Sequence, residues 1–292
     1  MVGNEALIGI DWGTTNRRVY LIDADGSLAD HFCDDRGVLT LNGSDYAREI
    51  DSLRDRFGAR RVIAAGMIGS SRGWHEAPYV NAPASLNDLA AAMIEVLPQT
   101  WIVPGVALRS GGRADVMRGE EVQVLGSISR RLAQQEPLFC QPGTHNKWIK
   151  VKDGCIVDFT TAMTGELFAH LRMQGILSGM LDGTVSDDDA FRDGVRRGSK
   201  ADLAVALFEV RASVLLGCRA ASDAASFASG VLIGADVGAR DDLAGSEVVL
   251  LASGPLADLY ATAINMCGAE VRKIDSRDAF VGGIEALRMH LQ

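Results

Sequence analysis

Two short stretches of this chain carry residue types that suit phosphate chemistry, and they are alike: Gly13-Thr14-Thr15-Asn16 and, 130 residues later, Gly143-Thr144-His145-Asn146. A glycine followed by a small hydroxyl residue lets main-chain N–H groups approach an anion with no Cβ in the way, and the hydroxyl adds a donor. Two such turns facing one another could grip a polyphosphate from both sides. Asp11 stands two residues before Gly13, suited to hold Mg²⁺ directly or through water, because hard cations prefer carboxylate oxygen. The matching residue before the second turn is the neutral Gln141, so the turns are not chemically equivalent. His145 and Lys147 could touch phosphate as well. An isolated Gly-Thr pair is usually only a hairpin turn; a second copy, and an aspartate behind the first, favour the phosphate reading.

Glu120 and Glu121 follow Arg118-Gly119 at the start of an expected helix. Acidic residues there are favoured by the helix dipole, and either could instead be a general base that takes a proton from an attacking hydroxyl. Arg72, Trp74, His75 and Tyr79 bring cation, indole, imidazole and phenol together in one loop, which suits a sugar-like ligand or a satellite of the core. The glycine-terminated run "LLASG" leads into "PLADLY", where a planar group could lie against backbone at Gly254. Other devices are missing: no Gly-Lys dipeptide for a P-loop, no GxGxxG after a strand, and neither Cys140 nor Ser253 sits in a GxSxG elbow that would pair it with His145. The five cysteines have no CxxC spacing and read as reduced, mostly buried thiols, while His31, His170 and His290 share no ligand spacing and read as structural.

The elements that must position these residues alternate between strand and helix. Each turn joins two strands, "ALIGID" to "RRVYLID" and "PLFCQ" to "KWIKV", with further turns at Asp25-Gly26 and Asp153-Gly154. This is the pattern of a diverged duplication. The first half continues with a helix near "SDYAREIDSLRDRFG", a strand "RVIAAGMIG", a helix "LNDLAAAMIEVL" and a strand "TWIVPGV". The polar "LRSGGRADVMRG" is the expected domain crossing, and the helix beyond it puts Val122, Leu125, Ile128 and Leu132 on one face. The second half runs through "CIVDFTTAMTG", a helix from about Glu166, an acidic loop, two apolar helical runs, the strand "SEVVLLASG", a helix, a short strand and a terminal helix. The expectation is an α/β chain of two domains, residues 1–115 and 116–292, forming a clasp around a cleft, with the last helix free to pack back on the first domain.

A net charge of −9 with no dense basic tract argues against nucleic acid or an anionic membrane as partner. The N-terminus lacks a basic leader, and no apolar run reaches the length of a membrane span, so a cytoplasmic protein is expected.

With these residues in place, the chain resembles the 2-dehydro-3-deoxygalactonokinase family of the sugar kinase, heat-shock cognate and actin superfamily. The resemblance runs from about Leu7 to Leu287 and rests on "IDWGTTNRR", "AAGMIGSSRGWHEAPYV", "WIVPG", "DVMRGEEVQVLG", "PGTHNKW", "MTGEL", "LFEVRAS" and "LIGA". It implies two actin-like, ribonuclease H-like domains closing over ATP and Mg²⁺, with the γ-phosphoryl group passing to the C6 hydroxyl of 2-dehydro-3-deoxy-D-galactonate. It also implies ATP contacts at Asp11, Gly13, Thr14, Thr15, Gly143, Thr144, His145, Lys147 and Gly254, with Asp11 toward the metal. Glu120, with Glu121 beside it, matches the family's catalytic carboxylate by position. Arg18 or Arg118 would answer the substrate carboxylate, with Met67, Ser70 and Trp74 on the sugar side. Asn146 departs from the small serine expected in relatives, which a turn should tolerate, and Gln174-Gly175 stands where relatives tend to have His-Ser. The partners implied are the sugar acid and ATP, with a homodimer open. A nucleotide-gated binding or filament protein of the same fold, or a kinase for a related sugar acid, is the alternative. The Arg/Trp/His loop argues against a filament, which has no need of a sugar pocket.

Overall fold

Near-continuous burial draws out the first strands. Leu7–Trp12 (β1) buries Leu7, Ile8, Ile10 and Trp12; it pairs antiparallel with Arg17–Ile22 (β2), and β2 with Leu28–Asp34 (β3). The helix Gly43–Phe57 (α1) turns Tyr46, Ile50 and Leu53 inward at helical spacing. Next come Arg61–Gly66 (β4), Tyr79–Asn81 (β5), Leu86–Ala91 (α2), Ile94–Leu97 (β6), Thr100–Ile102 (β7), Gly105–Ser110 (β8), Arg113–Met117 (β9) and Glu120–Ser129 (α3). The main sheet has the order β3-β2-β1-β4-β7-β6, and β5-β8-β9 form a second, small sheet. β4 lies parallel to both β1 and β7. Ile8, Ile10, Trp12, Val19, Ile50, Val62 and Ile102 share one core.

The remaining elements are Leu138–Gln141 (β10), Asn146–Lys152 (β11), Cys155–Ala162 (β12), Thr164–Met173 (α4), Asp189–Gly198 (α5), Leu203–Leu215 (α6), Ala224–Gly238 (α7), Glu247–Leu251 (β13), Pro255–Met266 (α8), Glu270–Ile274 (β14) and Ser276–Arg288 (α9). Their sheet runs β12-β11-β10-β13-β14, with β10 parallel to β13. Both sheets follow one plan: three consecutive strands laid third, second, first, then a later strand running parallel beside the first. This is the ribonuclease H-like order of an actin-like domain, present twice, so the chain is α/β with mixed sheets. The nearly all-buried α7 meets α5 at glycines; a Cβ on Gly194 would come within 2.2 Å of the Phe227 carbonyl oxygen, and one on Gly230 within 2.1 Å of that of Phe191. Asp188 in the acidic loop caps α5 by accepting from the Phe191 N–H at 2.8 Å, an interaction of about 1 kcal/mol.

The computed structural model describes residues 5–134 and 136–291. The chain divides into two compact units, Met1–Glu136 with Ile149–Phe159 and Ile274–Gln292, and Pro137–Trp148 with Thr160–Lys273. The expected boundary between residues 115 and 116 falls inside the first unit, because "LRSGGRADVMRG" is a hairpin and not a crossing. Gly111 and Gly112 take φ of 59° and 78°, as a tight two-residue turn requires, and β8 pairs with β9 across them. The terminal helix α9 belongs to the first unit and packs on α3. "LNDLAAAMIEVL" is helical only to Ala91; the β-branched Ile94 and Val96 join the sheet edge as β6, antiparallel to β7. Leu132 lies beyond the end of α3. The cysteines are free but not mostly buried, since Cys140 is buried while Cys33 and Cys218 are exposed. The reading of the N-terminus as leaderless falls partly on residues 1–4, outside the described residues. No helix among the described residues is long and apolar enough to cross a membrane.

Candidate functional site

In the first unit, β1 carries Asp11 to its C-terminal end, the end where open α/β sheets bind ligands. There Asp11 pairs in register with Ala65 and Trp12 with Gly66. Asp11 is half-buried and accepts a hydrogen bond from Arg18 Nη1 at 3.0 Å. Burial pushes its carboxyl up, and the Arg18 charge partly offsets that. The turn that follows is pinned by backbone: Gly37 N–H, Val38 N–H and Leu39 N–H donate to the carbonyls of Thr15, Gly13 and Thr14 at 3.2, 3.0 and 3.1 Å. With its carbonyls engaged, the turn exposes Thr14 and Thr15. Sequence reasoning passed over Gly37, although a Cβ there would fall 2.3–2.5 Å from the Thr14 and Thr15 backbone.

The N-terminus of α3 docks on the end of β4. Gly66 and Gly119 take φ of 95° and 109°, and a Cβ on Gly119 would meet the Gly66 Cα at 3.1 Å. This contact brings Arg118 and Glu120 to the strand end beside the one that bears Asp11. Glu120 is half-buried, and its Oε2 accepts from the Arg118 N–H at 3.0 Å. Glu121 is fully buried, and the Gly119 N–H donates to its Oε1 and Oε2 at 2.8 and 2.7 Å. Burial, with the Glu120 charge beside it, pushes the Glu121 carboxyl up to about 8. The two adjacent glutamates therefore differ: one is reachable, the other enclosed.

Arg118 donates from Nη2 to the Ala77 carbonyl at 2.8 Å and lies 4.3 Å over the Tyr79 ring. Its Nε and Nη1 are buried with no hydrogen-bond partner. Arg18, by contrast, is exposed and paired with Asp11. Met67 and Ser70 form a single turn after Gly66, with the Ser70 hydroxyl donating to the Met67 carbonyl at 2.7 Å. Trp74 stacks on Tyr46, ring centroids 5.7 Å apart, and packs on the core. Its indole is a wall of this region first and a contact surface second.

In the second unit, the Gly143–Asn146 turn is fastened to the start of α4. The Glu166 N–H donates to the Thr144 carbonyl at 2.9 Å, and a Cβ on Gly165 would lie 2.5 Å from the Gly143 oxygen. Glu166 bonds the His145 ring, which holds its carboxyl below the usual range, and reaches His170 at 3.5 Å. His170, which the sequence reads as structural and without ligand spacing, stands four residues after Glu166, and that i, i+4 spacing brings the two together. Thr144 and His145 are exposed, but Lys147 is buried with its ammonium on Thr161 Oγ1 at 2.7 Å, apart from the turn's exposed residues. Asn146 ends the turn and opens β11, where it is buried and donates to Asp236 at 2.6 Å. Gly254 takes φ 74° ahead of Pro255 at the start of α8, where backbone N–H groups and the positive helix end are presented. A solvent-open pocket of about 350 Å³ is lined by Gly143, Thr164, Gly165, Phe168, Leu256 and Tyr260, among others. The motifs "PGTHNKW", "MTGEL" and "PLADLY" therefore meet around one cavity.

A family model described as 2-keto-3-deoxy-galactonokinase matches residues 11–287 of the chain. A curated protein of Escherichia coli (strain K12), 2-dehydro-3-deoxygalactonokinase, is 35% identical over 96% of this chain and 96% of its own length. A relative from Rhizobium meliloti (strain 1021), assigned provisionally to the same activity, is 36% identical over 95% of this chain and 94% of its own. A crystal structure from Sinorhizobium meliloti, with the same provisional assignment, superposes with a TM-score of 0.89 at 34% identity, covering 98% of this chain and 96% of that one.

Proposed function

This chain belongs to the 2-keto-3-deoxy-galactonokinase family of sugar-acid kinases, and on that premise we propose that it transfers the γ-phosphoryl group of ATP to the C6 hydroxyl of 2-dehydro-3-deoxy-D-galactonate, giving the 6-phosphate and ADP. The observation that carries the reading is the seating of Gly119 on Gly66, which gathers Glu120 and Arg118 at the strand ends next to Asp11. In this reading the first unit handles the acceptor and the second the nucleotide.

Glu120 takes the C6 hydroxyl proton as that oxygen attacks the γ-phosphorus and the bond to the leaving ADP oxygen breaks. Its neighbour Glu121 is too enclosed for the role, and holds the Gly119 turn. Arg118 binds the substrate carboxylate, because its buried Nε and Nη1 have donor capacity that an anion would satisfy; Arg18 already serves Asp11. Met67, Ser70 and Trp74 border the sugar. The Gly13-Thr14-Thr15 turn faces the γ-phosphate, while Gly143, Thr144 and His145 hold the phosphates on the nucleotide side. The pocket between α4, α7 and α8 receives adenosine, with Gly254 against it. Lys147 is left out of the contact set.

Asp11 would hold Mg²⁺. It is one hard oxygen ligand, and no cluster of three acidic, imidazole or thiol groups exists among the described residues. That fits an ion brought by the phosphates and keeping most of its waters. When bound, it neutralises charge on the transferring group. The protein's own contribution is position and electrostatics, as phosphoryl transfer generally requires.

A coupled assay of ADP release with the keto-deoxy acid tests the proposal. Turnover dependent on that acid is expected; tight ATP binding with no turnover on it would sink the substrate assignment.

A further inference from the structure

We propose that Asp236, a residue outside every motif that marked the family, is the positioning residue of the nucleotide side, one buried carboxylate on α7 locking the second glycine-threonine turn to α4 and α8, the other two helices of the adenosine pocket. The identity of the ligand rests on the kinase reading; the coupling itself rests on geometry.

Asp236 lies on α7 and is 7% exposed. Its Oδ1 accepts from Trp148 Nε1 at 3.0 Å. Its Oδ2 accepts from Asn146 Nδ2 at 2.6 Å, Tyr260 OH at 3.1 Å and Thr164 Oγ1 at 3.2 Å. An indole N–H and an amide NH₂ can only donate, so both carboxylate oxygens must be acceptors, as in the ionised form. Burial works against that form, and the donors work for it.

The four partners tie Asp236 to three parts of the nucleotide side. Asn146 and Trp148 begin the strand that leaves the turn, Thr164 begins α4, and Tyr260 sits on α8. Thr164 and Tyr260 line the pocket together with Gly143, whereas Asp236 is not on that pocket's wall. It therefore acts through the residues that would touch nucleotide. A carboxylate placed here costs desolvation that an apolar side chain would not. What it supplies is direction, since every donor must stand where its proton meets an oxygen. One anion thus sets the relative placement of the phosphate turn, the α4 start and the adenosine helix.

The test compares the full-length parent with Asp236→Asn, Tyr260→Phe and Thr164→Val. ATP affinity is read by equilibrium binding, and KM is read separately for ATP and for the sugar acid. Asparagine keeps the shape but turns an NH₂ toward a donor, so ATP affinity should fall about tenfold or more. The KM for ATP should rise to match while that for the sugar acid stays put. Tyr260→Phe and Thr164→Val each remove one donor and should show the same one-sided change, a few-fold in size. A folded Asp236→Asn protein binding ATP within twofold of the parent would overturn the proposal, as would equal rises in both KM values. If Asp236→Asn does not fold, Tyr260→Phe decides, and an unchanged KM for ATP overturns it. A parent that binds no ATP would bring down the kinase reading as well, which separates the two failures.

Discussion

The turn at Gly13–Asn16 is held by backbone, and the turn at Gly143–Asn146 by backbone and side chains together. The first is clamped by N–H groups of residues 37–39, which need nothing of the side chains except that position 37 have none. The second leans on Glu166 through a backbone bond and a histidine, and its strand is anchored through Asn146 to a carboxylate 90 residues away. Two copies of one local design have thus diverged in their support. A backbone clamp is insensitive to most substitutions and brittle at one glycine. A side-chain anchor spreads its sensitivity over several residues, each removable by a near-isosteric change.

That contrast, and the division of labour proposed with it, can be broken by substitutions that should each move one quantity. The largest effect is expected from Glu120→Gln, which should lower kcat by roughly 10²-fold or more while leaving ATP binding in place; Glu121→Gln should leave kcat within a few-fold. Steady-state kinetics of the pair would decide which glutamate is the base, and equal losses would defeat the distinction drawn from burial. Arg118→Lys should raise the KM for the sugar acid about tenfold without moving that for ATP, because an ammonium cannot reproduce a planar fork of donors. An unchanged KM would return the role to Arg18.

Gly37→Ala probes the backbone clamp. Its Cβ has no room, so the turn must shift, with a stability loss of about 1–3 kcal/mol by urea denaturation. An unaffected midpoint would show that the clamp gives way freely. The smallest effect concerns pH. Glu121 is held up at about 8 in the fold, against about 4.3 in an unfolded chain. Between those values the unfolded chain releases a proton that the folded one retains, so stability present at low pH is lost as pH rises through 8. Glu121→Gln does not titrate, and its urea midpoint relative to the parent should improve from pH 5 to pH 9. A constant difference would remove the buried, protonated glutamate from the account.

Much of the fold was legible because it is written in local patterns. The short apolar runs "ALIGID" and "PLFCQ", with glycine at each turn, mark the strands that carry both motifs. Local patterns failed where neighbours outvoted them. The Ala-rich "LNDLAAAMIEVL" has a helix former's composition, but Ile94–Leu97 lies beside the edge of β7 and pairs with it. "SGG" reads equally as a linker or a hairpin turn, and only the pairing of β8 with β9 selects the hairpin.

The site divides in the same way. By itself the sequence determined the residue types that suit phosphate, their spacing from Asp11, and the family, because each is a property of contiguous residues. Tertiary structure decided that Glu121 is enclosed and Glu120 is not, that Lys147 is taken by Thr161, and that Arg118 has buried donors to offer. It also decided that Asp236 gathers Asn146, Trp148, Thr164 and Tyr260. Burial and hydrogen-bond partnership depend on which distant segments fold together, and for a charged group those two quantities set both its protonation state and its work.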